Sequence, residues 1–124
     1  MEVERRTDLA ARMIVLVVSG ELDDDSLLRL RDELEAAPDV DPDFSLLIDL
    51  RKASGHGVTS AGTRAIAAQP LALAPAARRA FVVTTELGFG MARMYEMLRE
   101  GGSGTTRVFR DYEAAELWVR TGDS

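Results

Sequence analysis

Hydrophobic and polar positions along the chain fall into short blocks that switch between a period of two and a period near 3.6. Residues 13–19 form an aliphatic, β-branched run closed by Gly20, which predicts a buried strand, and the thinner pattern over residues 3–7 predicts an edge strand before it. Asp23, Asp24, Asp25 and Ser26 then supply N-cap candidates and negative charge suited to a helix start. Leu27, Leu30 and Leu34 follow at helical spacing, and Ala37-Pro38 should end that helix. A second buried strand is predicted over residues 45–50, with Ile48 in its core and Asp49 inside it. A glycine-rich connector containing Gly55-His56-Gly57 leads to a helix capped by Thr59 or Ser60 and stopped near Gln69 by Pro70. Residues 79–84, carrying Phe81, Val82 and Val83, predict the next strand. Leu87, Met91, Met94, Tyr95 and Leu98 trace one helical face that Gly101-Gly102 ends. Residues 105–109 predict the last strand, and Asp111 caps a final helix holding Ala114, Leu117 and Trp118.

This alternation of strands and helices implies an α/β fold: one domain over residues 1–124, with a mixed, mostly parallel sheet of five strands flanked by four helices. In such sheets the strand ends that feed helix starts share one edge, where ligands and partners dock. That edge should collect Glu21, Asp23, Arg51, Lys52, His56, Ser60, Thr85, Glu86 and Asp111.

Composition narrows the functional classes. The 124 residues hold no cysteine, are 46% hydrophobic and carry a net charge of −6. A chain of this size builds one core without staples, and the missing thiols exclude thiol catalysis, iron–sulfur clusters and zinc ribbons. The acidic balance argues against nucleic acid as the main partner, since Lys and Arg contacts to phosphate supply most of that affinity. The longest apolar run, residues 13–18, is far below the roughly 20 residues of a membrane span. The start, Met1-Glu2-Val3-Glu4-Arg5-Arg6, mixes acids and arginines where a signal peptide has a basic end and an apolar stretch, so a cytoplasmic location is expected.

Ser19-Gly20-Glu21-Leu22-Asp23, followed by a capped helix, resembles the "GELD" strand-to-helix junction of STAS domains, the anti-sigma factor antagonist family. Leu47-Ile48-Asp49-Leu50 with Thr59-Ser60-Ala61-Gly62 is similar to that family's "DL…DSSG" segment, with Thr59 standing where the family has an aspartate. The ending Arg107-Val108-Phe109-Arg110-Asp111, with Ala114 and Trp118, looks like the SpoIIAA-like branch. The resemblance implies a STAS-like fold and a non-enzymatic role in protein regulation. It also implies a phosphorylatable serine at Ser60, an acid near it at Asp23, and a kinase or anti-sigma-like regulatory protein as partner.

Read from the residues alone, Ser60 is equally well a helix cap. A phosphate there would nevertheless meet free N–H groups and the positive end of a helix dipole. His56, between two glycines, reads as a loop residue. A serine-hydrolase elbow requires Gly-x-Ser-x-Gly, and Val58-Thr59-Ser60-Ala61-Gly62 carries half of it. Asp49 and Asp111 fall at no recognisable ligand spacing, so no metal or other cofactor is assigned. Gly88-Phe89-Gly90 begins a dinucleotide fingerprint, but Arg93 takes the third glycine's place and Glu86 puts negative charge where a pyrophosphate would lie. Phe89 and Met97 fall off the apolar stripe of their helix and join Glu21, Asp23, Thr59 and Ser60 as partner-contact candidates, with residues 71–73 a possible apolar neighbour. The expected function is a regulatory protein-interaction domain, with room for a homodimer. The alternative is a module binding a small apolar or anionic ligand between the sheet and its helices.

Overall fold

The computed structural model describes residues 1–36, 41–69, 76–102 and 104–122. Among them the chain runs β1 (Glu2–Asp8), β2 (Met13–Asp23), α1 (Asp24–Ala36), β3 (Ser45–Gly57), α2 (Ser60–Ala67), β4 (Arg78–Val82), α3 (Glu86–Leu98), β5 (Thr105–Phe109) and α4 (Tyr112–Thr121). This is the predicted order. The sheet has five strands in the order β1-β2-β3-β4-β5; β1 is antiparallel to β2, and every other pair is parallel. Parallel neighbours need a crossover, and α1, α2 and α3 supply the three.

Alternation along the strands sorts the core into two layers. Met13, Val15, Leu47, Ala80, Val82 and Phe109 face α4 and pack on Ala115, Trp118 and Val119. Ile14, Leu16, Val18, Leu46 and Ile48 face the other way, toward Leu22 and Leu30 with Leu27, Leu34, Val58 and Phe81 around them. Helices α1, α2 and α3 line that second face, whereas α4 covers the first alone. Cationic side chains extend α4's cover: Arg107 lies over Phe109 and Trp118 at 4.9 and 5.4 Å, and Arg51 lies over Tyr112 at 4.6 Å.

Several boundaries differ from the sequence reading. Strand β2 continues past Gly20 to Asp23, and β3 continues past Leu50 to Gly57, so Gly55, His56 and Gly57 are strand residues rather than a loop. The two extensions hold each other. Gly20 pairs with Ala53, Glu21 with Ser54 and Asp23 with Gly57, through register shifts that follow Val17 and Glu21. A Cβ at Gly57 would lie 2.8 Å from the Asp23 Cβ, so this close pairing requires glycine. Strand β4 ends at Val82, two residues short of Thr84. The inward face of α3 is Gly88, Met91, Ala92 and Tyr95, while Leu87 and Leu98 are 45% and 47% exposed; Leu117 on α4 is likewise half exposed. Helix α2 ends at Ala67 with Ala68 as its C-cap. Ala37-Pro38, Pro70 and the 71–73 segment lie outside the described residues.

Candidate functional site

The predicted edge forms where β2 and β3 hand over to α1 and α2. The Asp23 carboxylate accepts from the Ser26 N–H at 2.7 Å, and the Asp23 N–H returns a bond to Ser26 Oγ at 2.9 Å, a reciprocal cap on α1. The Ser26 N–H, with its hydroxyl, holds the Asp23 carboxyl below the usual aspartate value. Asp24, not Asp23, reaches the start of α2. Its two oxygens accept from the Thr59 N–H at 2.9 Å and the Thr59 hydroxyl at 2.6 Å, while Thr59 Oγ1 accepts from the Gly62 N–H at 2.9 Å. Thr59 is therefore the N-cap. Ser60 is the first helical residue, with its side chain exposed, so the alternative that Ser60 caps α2 is corrected. Glycine at position 62 leaves room for this clasp, because a Cβ there would collide with the Asp24 carboxylate and push it off Thr59.

The other edge residues are spent on structure. Asp49 is 3% exposed and accepts from Arg51 Nε at 2.9 Å, Arg51 Nη2 at 2.8 Å and the Arg51 N–H at 3.1 Å. Burial pushes the Asp49 carboxyl up, but the bonds from Arg51 outweigh it and hold the carboxyl below its ordinary value. Thr85 and Asp111 cap α3 and α4. Glu86 pairs with Arg110 at 3.1 Å, and Arg110 in turn covers the Phe89 ring at 3.9 Å. Met97 is 60% exposed, farther along α3. The exposed His56 ring sits with Nδ1 3.1 Å from Ser54 Oγ. Glu21, Asp23, Thr59 and Ser60 thus share one exposed edge, whereas Phe89 and Met97 belong to α3. Among the described residues no cluster of three His, Cys, Asp or Glu side chains could hold a metal ion, and no helix is long and apolar enough to cross a membrane.

Between the sheet and its helices, where the alternative reading put a ligand, the structure adds residues that the sequence did not single out. A cavity of about 160 Å³ lies between the sheet and helices α1, α2 and α3, with Leu30, Ile48, Ile66, Phe81 and Met91 among its walls. Arg79 also lines it and is only 7% exposed. Its Nη1 donates to the Tyr95 hydroxyl at 2.7 Å, its Nε–H has no partner, and Tyr95 meets Phe81 edge-on with ring centroids 5.5 Å apart. Burial pushes the guanidinium below its ordinary value, with Tyr95 opposing that shift. The available signal was strand alternation. Arg79 shares a face with Phe81, so a cation stands at an inward position of a short strand.

No family model matches the sequence, and no curated protein matches it. Among solved structures the chain is similar to an uncharacterized protein of the DUF3478 family, with a SpoIIAA-like fold, from Shewanella loihica PV-4. The TM-score is 0.57 at 16% identity, over 95% of this chain and 92% of that one. The chain therefore has the SpoIIAA-like α/β fold expected from its STAS-like motifs.

Proposed function

We propose that this SpoIIAA-like domain works by binding rather than catalysis, as a regulatory protein-interaction domain whose docking edge carries Glu21, Asp23, Thr59 and Ser60. The observation that carries the reading is the clasp between Asp24 and Thr59 beside an exposed Ser60 hydroxyl at the first position of α2. A phosphate of about −1.5 to −2 charge at that hydroxyl would compete with Asp24 for the N–H groups of the helix start and repel its carboxylate. Phosphorylation by a partner kinase would then change the edge that an anti-sigma-like protein meets, without touching the core. The test is affinity capture from the source cells with wild type, Ser60→Ala and Ser60→Asp, together with a phosphopeptide search covering Ser60. Ser60→Ala should retain a partner that Ser60→Asp loses. Equal capture by all three, with Ser60 never phosphorylated, would leave Ser60 without a switching role.

A second reading has its own observation, the cavity with a buried cation on its wall. Under it the domain holds a small molecule between the sheet and α1, α2 and α3. Saturable binding of a small molecule to the purified protein, lost when the cavity is filled, tests it.

A further inference from the structure

Arg79 is costly where it stands. A buried cation is ordinarily matched by a carboxylate, because desolvation of the charge must be offset by hydrogen bonds and an opposite charge. Among the described residues, the partner of Arg79 is a neutral phenol, and its Nε–H is buried with no acceptor. Arg31 and Glu35, one turn apart on α1, line the same cavity, and the exposed Glu35 favours the charge on Arg79 less than Tyr95 does. The rest of the lining is mostly aliphatic and aromatic. The site thus combines a mostly apolar space with two guanidiniums, of which Arg79 is the more deeply buried.

We propose that this cavity binds a small monocarboxylate: its apolar body fills the space beneath α1 and α2, and its carboxylate meets the Arg79 guanidinium. The assignment rests on the second reading above, that the cavity holds a small molecule. Three features select the ligand class. An apolar cavity near 160 Å³ is of the size that accepts a benzene-sized molecule, which limits the body to a ring or a short chain of about six carbons. The free Nε–H of a planar guanidinium suits a carboxylate oxygen, and the Tyr95 hydroxyl, already accepting from Nη1, keeps its own hydrogen to donate. A dianionic phosphate would bring a second charge between mostly apolar walls, with a larger desolvation cost than a monoanion, while the apolar body of a carboxylate gains from the same walls.

Phenylacetate and hexanoate, their methyl esters and hexyl phosphate, titrated into the purified chain by calorimetry, test the proposal. Each acid should bind at least about tenfold more tightly than its ester, since the charge-assisted bonds belong to the acid alone. Arg79→Met, which keeps length and removes charge, should erase that ratio while retaining the ester. Ala92→Phe, which pushes a ring into the cavity from α3, should abolish binding of both. The wild-type comparison stands even if a variant fails to fold. Ester binding equal to acid binding, or tighter binding of hexyl phosphate, would overturn the carboxylate assignment and leave the cavity reading intact. No binding of any probe would overturn both, and acid binding undiminished in Ala92→Phe would place the ligand elsewhere and overturn the proposal.

Discussion

Asp49 shows how one residue can be both buried and charged. Its carboxylate accepts three bonds from Arg51, whose guanidinium is half exposed and rests on Tyr112. Asp49→Ala should cost about 1–3 kcal/mol, read from denaturant midpoints, because Arg51 regains water but the Arg51 N–H and the stacked geometry lose their anchor. The pH dependence follows from the same bonds. The folded state holds the carboxyl below its ordinary value of 3.8, so its contribution is complete above that value and is lost as the pH falls through the lower, folded one. Urea melts of wild type and Asp49→Asn should therefore differ at pH 7 and converge under strong acid. Ile48→Ala and Leu47→Ala probe opposite faces of the same strand. Each should cost about 2–5 kcal/mol by deleting buried methyl groups. Leu47 sits in the closed layer under α4 and leaves a new void, whereas Ile48 already borders a cavity and enlarges it. Ile48→Ala should therefore fall toward the lower end and accept larger ligands. An exposed substitution such as Arg5→Ala should leave the midpoint within about 0.5 kcal/mol of wild type.

At the scale of elements, the start of α2 depends on the start of α1. Thr59→Ala removes the N-cap and should cost about 1 kcal/mol, whereas Ser60→Ala should cost little, since Ser60 caps nothing. The clasp also predicts a coupling. Gly62→Ala would ordinarily stabilise a helix interior by roughly 1 kcal/mol, but here the added methyl collides with Asp24. Gly62→Ala should destabilise the wild type and become neutral or stabilising in an Asp24→Ala background. A double-mutant cycle in urea measures that sign change, and additive effects would show that the two elements are independent. Helix α3 illustrates the converse. Its end ahead of Gly101-Gly102 was legible from local residues. Tyr95 lies inward as its spacing predicted, but the exact rotation was not legible, because contacts with Arg79 and Phe81, two strand residues remote in the chain, turn Gly88 and Ala92 rather than Leu87 and Leu98 toward the sheet.

For the whole molecule, the exposed edge strand is the feature with a direct consequence. Strand β1 is exposed along nearly its whole length, and its Glu2, Glu4, Arg5 and Arg6 charge a sheet edge that would otherwise pair with other chains. Replacing Glu4 and Arg6 with valine, on one face of β1, should produce concentration-dependent association by light scattering with little change in the unfolding midpoint. A monodisperse double variant would mean that the twist or shape of the edge, rather than its charge, protects it.

Element order, a mixed and mostly parallel sheet, and the cap at Asp111 were determined by the sequence itself, which also narrowed the α2 cap to Thr59 or Ser60. They rest on local patterns: a period of two or 3.6, and a short polar side chain before each helix. What tertiary structure decided involves partners far apart in the chain. The apolar runs ending at Ser19 and Leu50 stop where side-chain patterning stops. Strands β2 and β3 nevertheless continue to Asp23 and Gly57, because each offers the other backbone N–H and C=O groups, which carry no sequence signal. Asp24 rather than Asp23 is likewise the acid at α2, because the Asp23 carboxylate is engaged by Ser26 in its own helix cap while Asp24 meets Thr59. Arg79 is the sharpest case. Its inward position could be counted along the strand, but the cavity around it exists only because three helices from separate crossovers meet over one sheet face and leave the Nε–H of that cation without an acceptor among the described residues.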